Sequence, residues 1–225
     1  MRPWVLLDSA PVPGNGGELR LYQRGDEFSI NITGVGELMN SRMHGSEDAL
    51  AEHTCARLVD GTNPRLLIGG LGMGFTLAAA LRHLGKHAQL VVAELVPSVV
   101  EWNKGPLGIL AGHPLDDPRV TVREGDVAHI LKAEQQAYDA ILLDVDNGPE
   151  GLTHKENDWL YGMGGLNAAY SALRPRGILA VWSAGPSQNF VQRLRKVGFK
   201  VHEMRVHAHG KKGTRHYIWF ARREA

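Results

Sequence analysis

Thirty residues, Arg65–Glu94 (RLLIGGLGMGFTLAAALRHLGKHAQLVVAE), restrict the fold more than any other part of the chain. An apolar run ends in a glycine turn, an apolar helix-forming segment follows, and a second apolar run closes on an acid. Gly69, Gly70, Gly72 and Gly74 stand where the first strand gives way to the helix. Without a Cβ the chain can turn sharply there, and a ligand can approach the backbone amides at the helix start. Glu94 lies twenty residues after Gly74 and closes Leu90-Val91-Val92-Ala93. An α/β nucleotide-binding unit places at that point the carboxylate that accepts hydrogen bonds from ribose hydroxyls. The segment therefore predicts a strand–turn–helix–strand unit for an adenosine-like ligand.

The alternation continues along the chain. Strand patterns cover Arg65–Gly69, Gln89–Glu94, Val120–Glu124, Tyr138–Asp144 and Gly177–Ser183; helix patterns between them cover Phe75–Leu84, Ser98–Ala111, Val127–Gln135 and Asn157–Leu173. Such alternation predicts an α/β fold with a parallel sheet and helices on both faces. A helix over Ser187–Val197 precedes two last strands, Lys200–Val206 and Thr214–Ala221. The link Ala208–Gly213 cannot hold a crossover helix, so these two should be antiparallel. The expectation is a Rossmann-like, mostly parallel seven-stranded sheet with an antiparallel C-terminal strand.

Residues 1–40 read instead as short β segments, Trp4–Asp8, Glu18–Arg24 and Glu27–Thr33, with turns at Pro13–Gly17 and Gly25-Asp26. A helix over Ser46–Val59 follows, with Ser46 as its N-cap. This divides the chain into a small N-terminal β appendage with an entrance loop, 1–45, and a ligand-binding domain, 46–225.

The 25 basic and 24 acidic residues nearly cancel, which argues against nucleic acid or a membrane surface as partner. No apolar run approaches the roughly 20 residues of a membrane helix. The N-terminus does not read as a secretory signal, and a single Cys55 forms no internal disulfide. A cytoplasmic enzyme is expected.

Each successive strand of the proposed sheet ends in something chemically useful. Strand one ends in the glycines, strand two in Glu94, strand three in Glu124-Gly125-Asp126, and strand four in Asp144-Val145-Asp146-Asn147. Open α/β sheets bind ligands at these tips. Four such endings in chain order, together with Asp116-Asp117-Pro118-Arg119-Val120 before strand three, resemble the spermidine synthase-like branch of the class I S-adenosylmethionine-dependent methyltransferase superfamily. The resemblance implies S-adenosylmethionine or a close relative as co-substrate, no metal, and a homodimer. It assigns Gly70, Gly72 and Gly74 to the donor loop and Glu94 to the ribose. Asp126 is assigned to the adenine amino group, and Asp144 to the sulfonium and the reacting carbon.

Departures from that pattern fall on the amine side. An Asp expected within the glycine motif is replaced by Gly72-Met73, and a second strand-four acid by Asn147, with Asp146 one residue earlier. The Tyr-His pair before the entrance-helix acid is Leu50-Ala51, although Glu52 remains, and Glu37 stands for an expected Gln. Asp144 and Asp146 are then the catalytic candidates, because an ammonium acceptor must lose a proton to a nearby carboxylate before it attacks. If the strand runs on to Asp146, both side chains share a face. Asp146 could equally cap the loop. Glu37, Glu52, Trp159 and Tyr161 are candidate acceptor contacts, the two aromatics being equally readable as core.

The preferred reading is methyl transfer to a small amine-bearing or cationic acceptor. Aminopropyl transfer from the decarboxylated donor to a polyamine is the alternative, and a non-catalytic nucleoside-binding protein stands below it. A nicotinamide oxidoreductase fits less well, because Phe75 occupies the place of a third fingerprint Gly or Ala. His154 on the segment after strand four reads as a surface residue rather than a base. His202, His207, His209 and His216 lack a recognisable metal-ligand spacing.

Overall fold

The structure, a computed structural model, describes residues 2–14, 17–58, 63–145, 148–149, 157–209 and 212–225. Its main sheet contains β5 (Arg65–Gly69), β6 (Gln89–Glu94), β7 (Val120–Glu124), β8 (Tyr138–Leu143), β9 (Leu173–Ser183), β10 (Phe199–His209) and β11 (Lys212–Arg223), in the order β10-β11-β9-β8-β5-β6-β7. The five strands from β9 to β7 are parallel, and β11 runs antiparallel to both β9 and β10. The chain winds one way from β5 to β7 and the other way from β8 onward, so β5 lies at the reversal. That switch point opens a crevice at the strand tips.

Side-chain alternation explains why both faces are covered. Leu66, Ile68, Leu90, Val92, Ala140 and Leu142 belong to one apolar cluster; Leu67, Val91, Ile141 and Leu143 belong to another. On the first face lie α1 (Gly45–Cys55) and α2 (Phe75–His83), with Leu50 and Leu77 buried. On the second lie α4 (Val127–Ala133), α6 (Met163–Ala172) and α7 (Gln188–Val197), with Leu131, Leu166 and Phe190 buried. A strand buried on both faces must be apolar at every position, and β5 and β8 are nearly so.

A separate antiparallel sheet, β1 (Val5–Pro11), β2 (Glu18–Arg24), β3 (Glu27–Ile32) and β4 (Gly36–Asn40), shares the first apolar cluster through Leu21, Phe28 and Ile30.

Local differences from the sequence reading have local causes. β4 was expected as entrance loop. Gly34 and Gly36 at φ +82° and +118° instead turn the chain tightly enough for it to pair with β3. The helix expected over Ser98–Ala111 is α3 (Pro97–Lys104), which stops at Gly105-Pro106 and leaves one 3₁₀ turn at Gly108–Ala111. Around Gly162 the helix expected over Asn157–Leu173 divides into α5 (Asn157–Tyr161) and α6. Ser46 is not an N-cap, since α1 begins one residue earlier and the Ser46 hydroxyl turns to Glu47.

Candidate functional site

The sheet register brings the sequence-marked residues level. Gly69 pairs with Ala93 on one side and Leu143 on the other, and Glu94 pairs with Glu124. Backbone bonds continue just past the tips: Asp144 N donates to Gly69 O at 2.9 Å, Gly70 N to Ala93 O at 2.9 Å and Gly125 N to Glu94 O at 2.7 Å.

The glycine turn depends on absent side chains. Gly70 has φ +89°, and a Cβ there would sit 2.3 Å from the Asp144 carbonyl oxygen. Gly74, at φ +82°, begins α2. Asn103 of α3 ties the turn down, its Nδ2 donating to Gly72 O at 2.8 Å and to Val99 O at 2.9 Å.

The Glu94 carboxylate is buried beneath this turn. Its Oε2 accepts from Leu71 N and its Oε1 from Val96 N, both at 2.9 Å. Burial pushes its pKa up, while the bonds from these amides draw it back. Each oxygen has a second lone pair, so the carboxylate can still accept from a ligand hydroxyl. Asp126 caps α4 by accepting from Ala128 N at 2.8 Å. Asp144 accepts from Thr76 Oγ1 at 2.7 Å, and burial raises its pKa.

Gly70, Gly72, Glu94, Asp126 and Asp144 line one cavity of about 320 Å³, a size suited to a small-molecule ligand. Its remaining wall is largely apolar, with Leu19, Ile30, Ile32, Leu38 and Met39 from the N-terminal sheet. No Lys or Arg is among its described lining residues.

A second, smaller cavity of about 80 Å³ adjoins the first, sharing Leu38, Met39, Gly72 and Asp144. Glu47, Phe75, Thr76 and Trp182 help to line it. Here burial, then the negative charge of Asp144, push the Glu47 carboxyl up to about 7, against the pull of the Ser46 hydroxyl. The Trp182 Nε1–H is buried without a hydrogen-bond partner among the described residues.

Other sequence-predicted acceptor contacts fall elsewhere. Glu52 is exposed on α1 and lines neither cavity. The acid that this helix does present is Glu47, five residues away and hence on a different side. Glu37 is also exposed, accepting from Ser29 Oγ at 2.9 Å and from Asn40 Nδ2 at 2.7 Å, and touches the site only through Asn40. Trp159 stacks under Lys132 Nζ at 4.0 Å. Tyr161 is core, its hydroxyl donating to Val145 O at 3.1 Å and its ring edge-on to Phe190. Asp146 and His154 lie outside the described residues. Sequence reasoning missed Glu47, Trp182, Thr76 and Asn103. Only the Gly74-Phe75-Thr76 end of the glycine motif offered any signal for them.

A cleft of about 330 Å³ at the opposite ends of the strands is lined by Arg65, Lys86, His87, Arg119 and Arg123. Arg119 is held by Asp117 at 2.7 Å and Arg123 by Glu134 at 3.2 Å, so much of its charge is already answered. No group of three or more potential metal ligands occurs among the described residues.

A mostly parallel seven-stranded sheet with an antiparallel C-terminal strand, carrying its glycine turn and acids at the switch point, defines the class I methyltransferase type of α/β fold. Residues 52–202 match the spermine/spermidine synthase domain model, and the chain belongs to that family.

It is 32% identical over 131 residues to polyamine aminopropyltransferase 1 of Streptomyces coelicolor, covering 57% of this chain and 24% of that protein. Over 120 residues it is 36% identical to putrescine N-methyltransferase 4 of Nicotiana tabacum, covering 52% and 29%. The chain thus spans about a quarter of the length of these relatives. Spermidine synthase from Thermotoga maritima superposes with a TM-score of 0.76 at 17% identity, over 96% of this chain and 72% of that one. A candidate O-methyltransferase from Klebsiella pneumoniae gives 0.55 at 22% identity, over 80% of each chain.

Proposed function

We propose that the protein transfers an aminopropyl group from decarboxylated S-adenosylmethionine to an amine. The observation that carries this reading is the charge left for the donor tail in the larger cavity. With Glu94 and Asp126 given to the nucleoside, Asp144 remains, and no Lys or Arg stands among the described lining to hold a carboxylate. A donor that retains its amine and lacks a carboxylate suits such a wall better than one carrying both. The family model and the polyamine aminopropyltransferases point the same way.

Methyl transfer, the preference drawn from the sequence, is the second reading. The Nicotiana putrescine N-methyltransferases and the Gly72-Met73 replacement of an acid favour it.

On either reading Glu94 holds the ribose hydroxyls, Asp126 the adenine edge, and Gly70 and Gly72 admit the donor against the backbone. Gly74, expected in the same role, lines neither cavity and packs against Asn103 and Pro114. The sulfonium already activates the carbon, so the protein aligns the amine for in-line attack and keeps water out. The C–N bond forms as the C–S bond breaks, and a neutral thioether leaves. Before that, the ammonium gives up a proton. Glu47 and Asp144 in the smaller cavity are the groups placed to take it, a carboxyl near pH 7 being well matched to that task.

Mass analysis of products from both donors and a panel of amines tests the proposal. Aminopropylated products formed only with the decarboxylated donor are expected. Methylated amines would select the second reading, and turnover confined to acidic acceptors would overturn both.

A further inference from the structure

A chain of hydrogen bonds leads out of the smaller cavity. The Ser46 hydroxyl lies 2.6 Å from Glu47 Oε2, and His216 Nδ1 lies 2.9 Å from the same Ser46 oxygen. Ser46 is fully buried, whereas His216 on β11 is only partly so. Trp182 packs edge-on against the imidazole at 4.7 Å and also lines the cavity, walling the path on one side. Two elements distant in sequence, α1 and β11, therefore connect a cavity carboxylate to a partly exposed ring.

Resting on the amine-transfer reading, we propose that Ser46 and His216 form the exit path for the proton that Glu47 takes from the acceptor. The acceptor ammonium passes its proton to the Glu47 carboxylate and becomes a neutral amine. Glu47 then donates to Ser46 Oγ as the Ser46 hydroxyl proton moves to His216 Nδ1. The imidazolium so formed loses its Nε2 proton to water, leaving Glu47 ionised and the ring as its Nδ1–H tautomer. Exchange with solvent returns the ring to the Nε2–H tautomer before the next proton passes. Burial lowers the His216 pKa, so the ring gives the proton up readily.

The electrostatic surroundings hold the proton on Glu47 at rest, so the imidazolium is a transient carrier of it. Glu47 faces Asp144 from the tip of β8 and Asp48 from its own helix; Asp48 is itself paired with Arg82 of α2 at 2.9 Å and with His44 at 2.8 Å. Across the hairpin from His216 stands Val206 of β10, which contributes no charge.

The hydrogen between Glu47 Oε2 and Ser46 Oγ belongs to Ser46 when Glu47 is ionised and to Glu47 when it is protonated. In the first state Ser46 Oγ can accept from a protonated Nδ1; in the second its hydroxyl is free to donate to a bare Nδ1. The tautomer of His216 therefore reports the charge of Glu47.

Two measurements test the relay. Nitrogen shifts of the His216 ring in the free protein, followed from about pH 5 to about pH 9, should show Nδ1 exchanging donor and acceptor roles, with the exchange abolished by Glu47→Gln. A ring indifferent to that substitution overturns the proposal, whatever reaction the enzyme performs. In turnover, His216→Asn keeps a partner for Ser46 but cannot carry a proton. A fall in kcat of about tenfold or more is expected, restored by imidazole in the buffer, with KM and Tm little changed. Unaltered kcat, or a loss confined to KM and Tm, overturns it. Failure of the underlying reading is distinguishable, because wild-type protein would then convert no amine while the ring titration still decides the relay.

Discussion

The two adjoining cavities work by different physics. The larger is walled mainly by apolar side chains and by backbone bared at glycines; of its acids Glu94 is tied to amides, Asp126 caps a helix, and Asp144 is shared with the smaller cavity. The smaller holds Glu47 and Asp144, whose charges oppose each other and whose named bonds come from hydroxyls. The larger cavity seats the adenosyl group by shape and sorts the donor tail through Asp144, which it shares with the smaller; the smaller acts by charge throughout and fails by titration. Substitutions in the two should therefore differ in kind as well as in size.

The largest effect is expected at Gly70. In Gly70→Ala a methyl group meets the Asp144 carbonyl at 2.3 Å while the backbone stays at positive φ. Stability should fall by about 3 kcal/mol or more, with no donor binding, in paired denaturation and calorimetry.

Asp144→Asn leaves the shape of both cavities nearly intact. It should lower kcat by roughly 10²–10⁴-fold and weaken the preference for the decarboxylated donor. A loss of donor affinity with kcat unchanged would show that Asp144 serves donor binding alone.

Glu47→Gln should have opposite effects on activity and stability. Activity should drop, and the acidic limb of the pH–rate profile near pH 7 should flatten. The Glu47 pKa is raised on folding, so between about pH 4.5 and pH 7 the native state holds a proton that the unfolded chain has lost. Stability therefore declines as pH rises through that window, and ionised Glu47 is a cost above it. The variant should melt higher than wild type at about pH 8 and converge on it at about pH 4, as differential scanning calorimetry would show. Equal melting at both pH values would remove the charge opposition from the comparison. The smallest effect belongs to Glu52→Gln, on the exposed side of α1. It should change stability by less than about 0.5 kcal/mol and leave turnover at the wild-type level.

The contrast also explains what the sequence made legible. Donor-side residues follow strand tips in chain order, so the apolar runs that set the sheet also locate Gly70, Glu94, Asp126 and Asp144. β5, β6 and β7 occupy the segments that their apolar runs define. The acceptor side has no such order. Glu47, Thr76 and Trp182 come from a helix start, a second helix start and a strand, joined only by tertiary packing. Glu52 carries the family pattern and yet faces solvent, because helical phase, which a motif does not encode, decides what a helix presents. Trp159 and Tyr161 kept both readings open at sequence level, and contacts with Lys132 and Phe190 place them in packing.

The central claim is that the larger cavity accepts an adenosyl sulfonium whose tail carries an amine and no carboxylate. Calorimetric titration of the wild-type protein with decarboxylated and intact S-adenosylmethionine tests it most directly. At least about tenfold tighter binding of the decarboxylated donor is predicted, a difference of about 1.4 kcal/mol. Equal affinity, or preference for the intact donor, would contradict it.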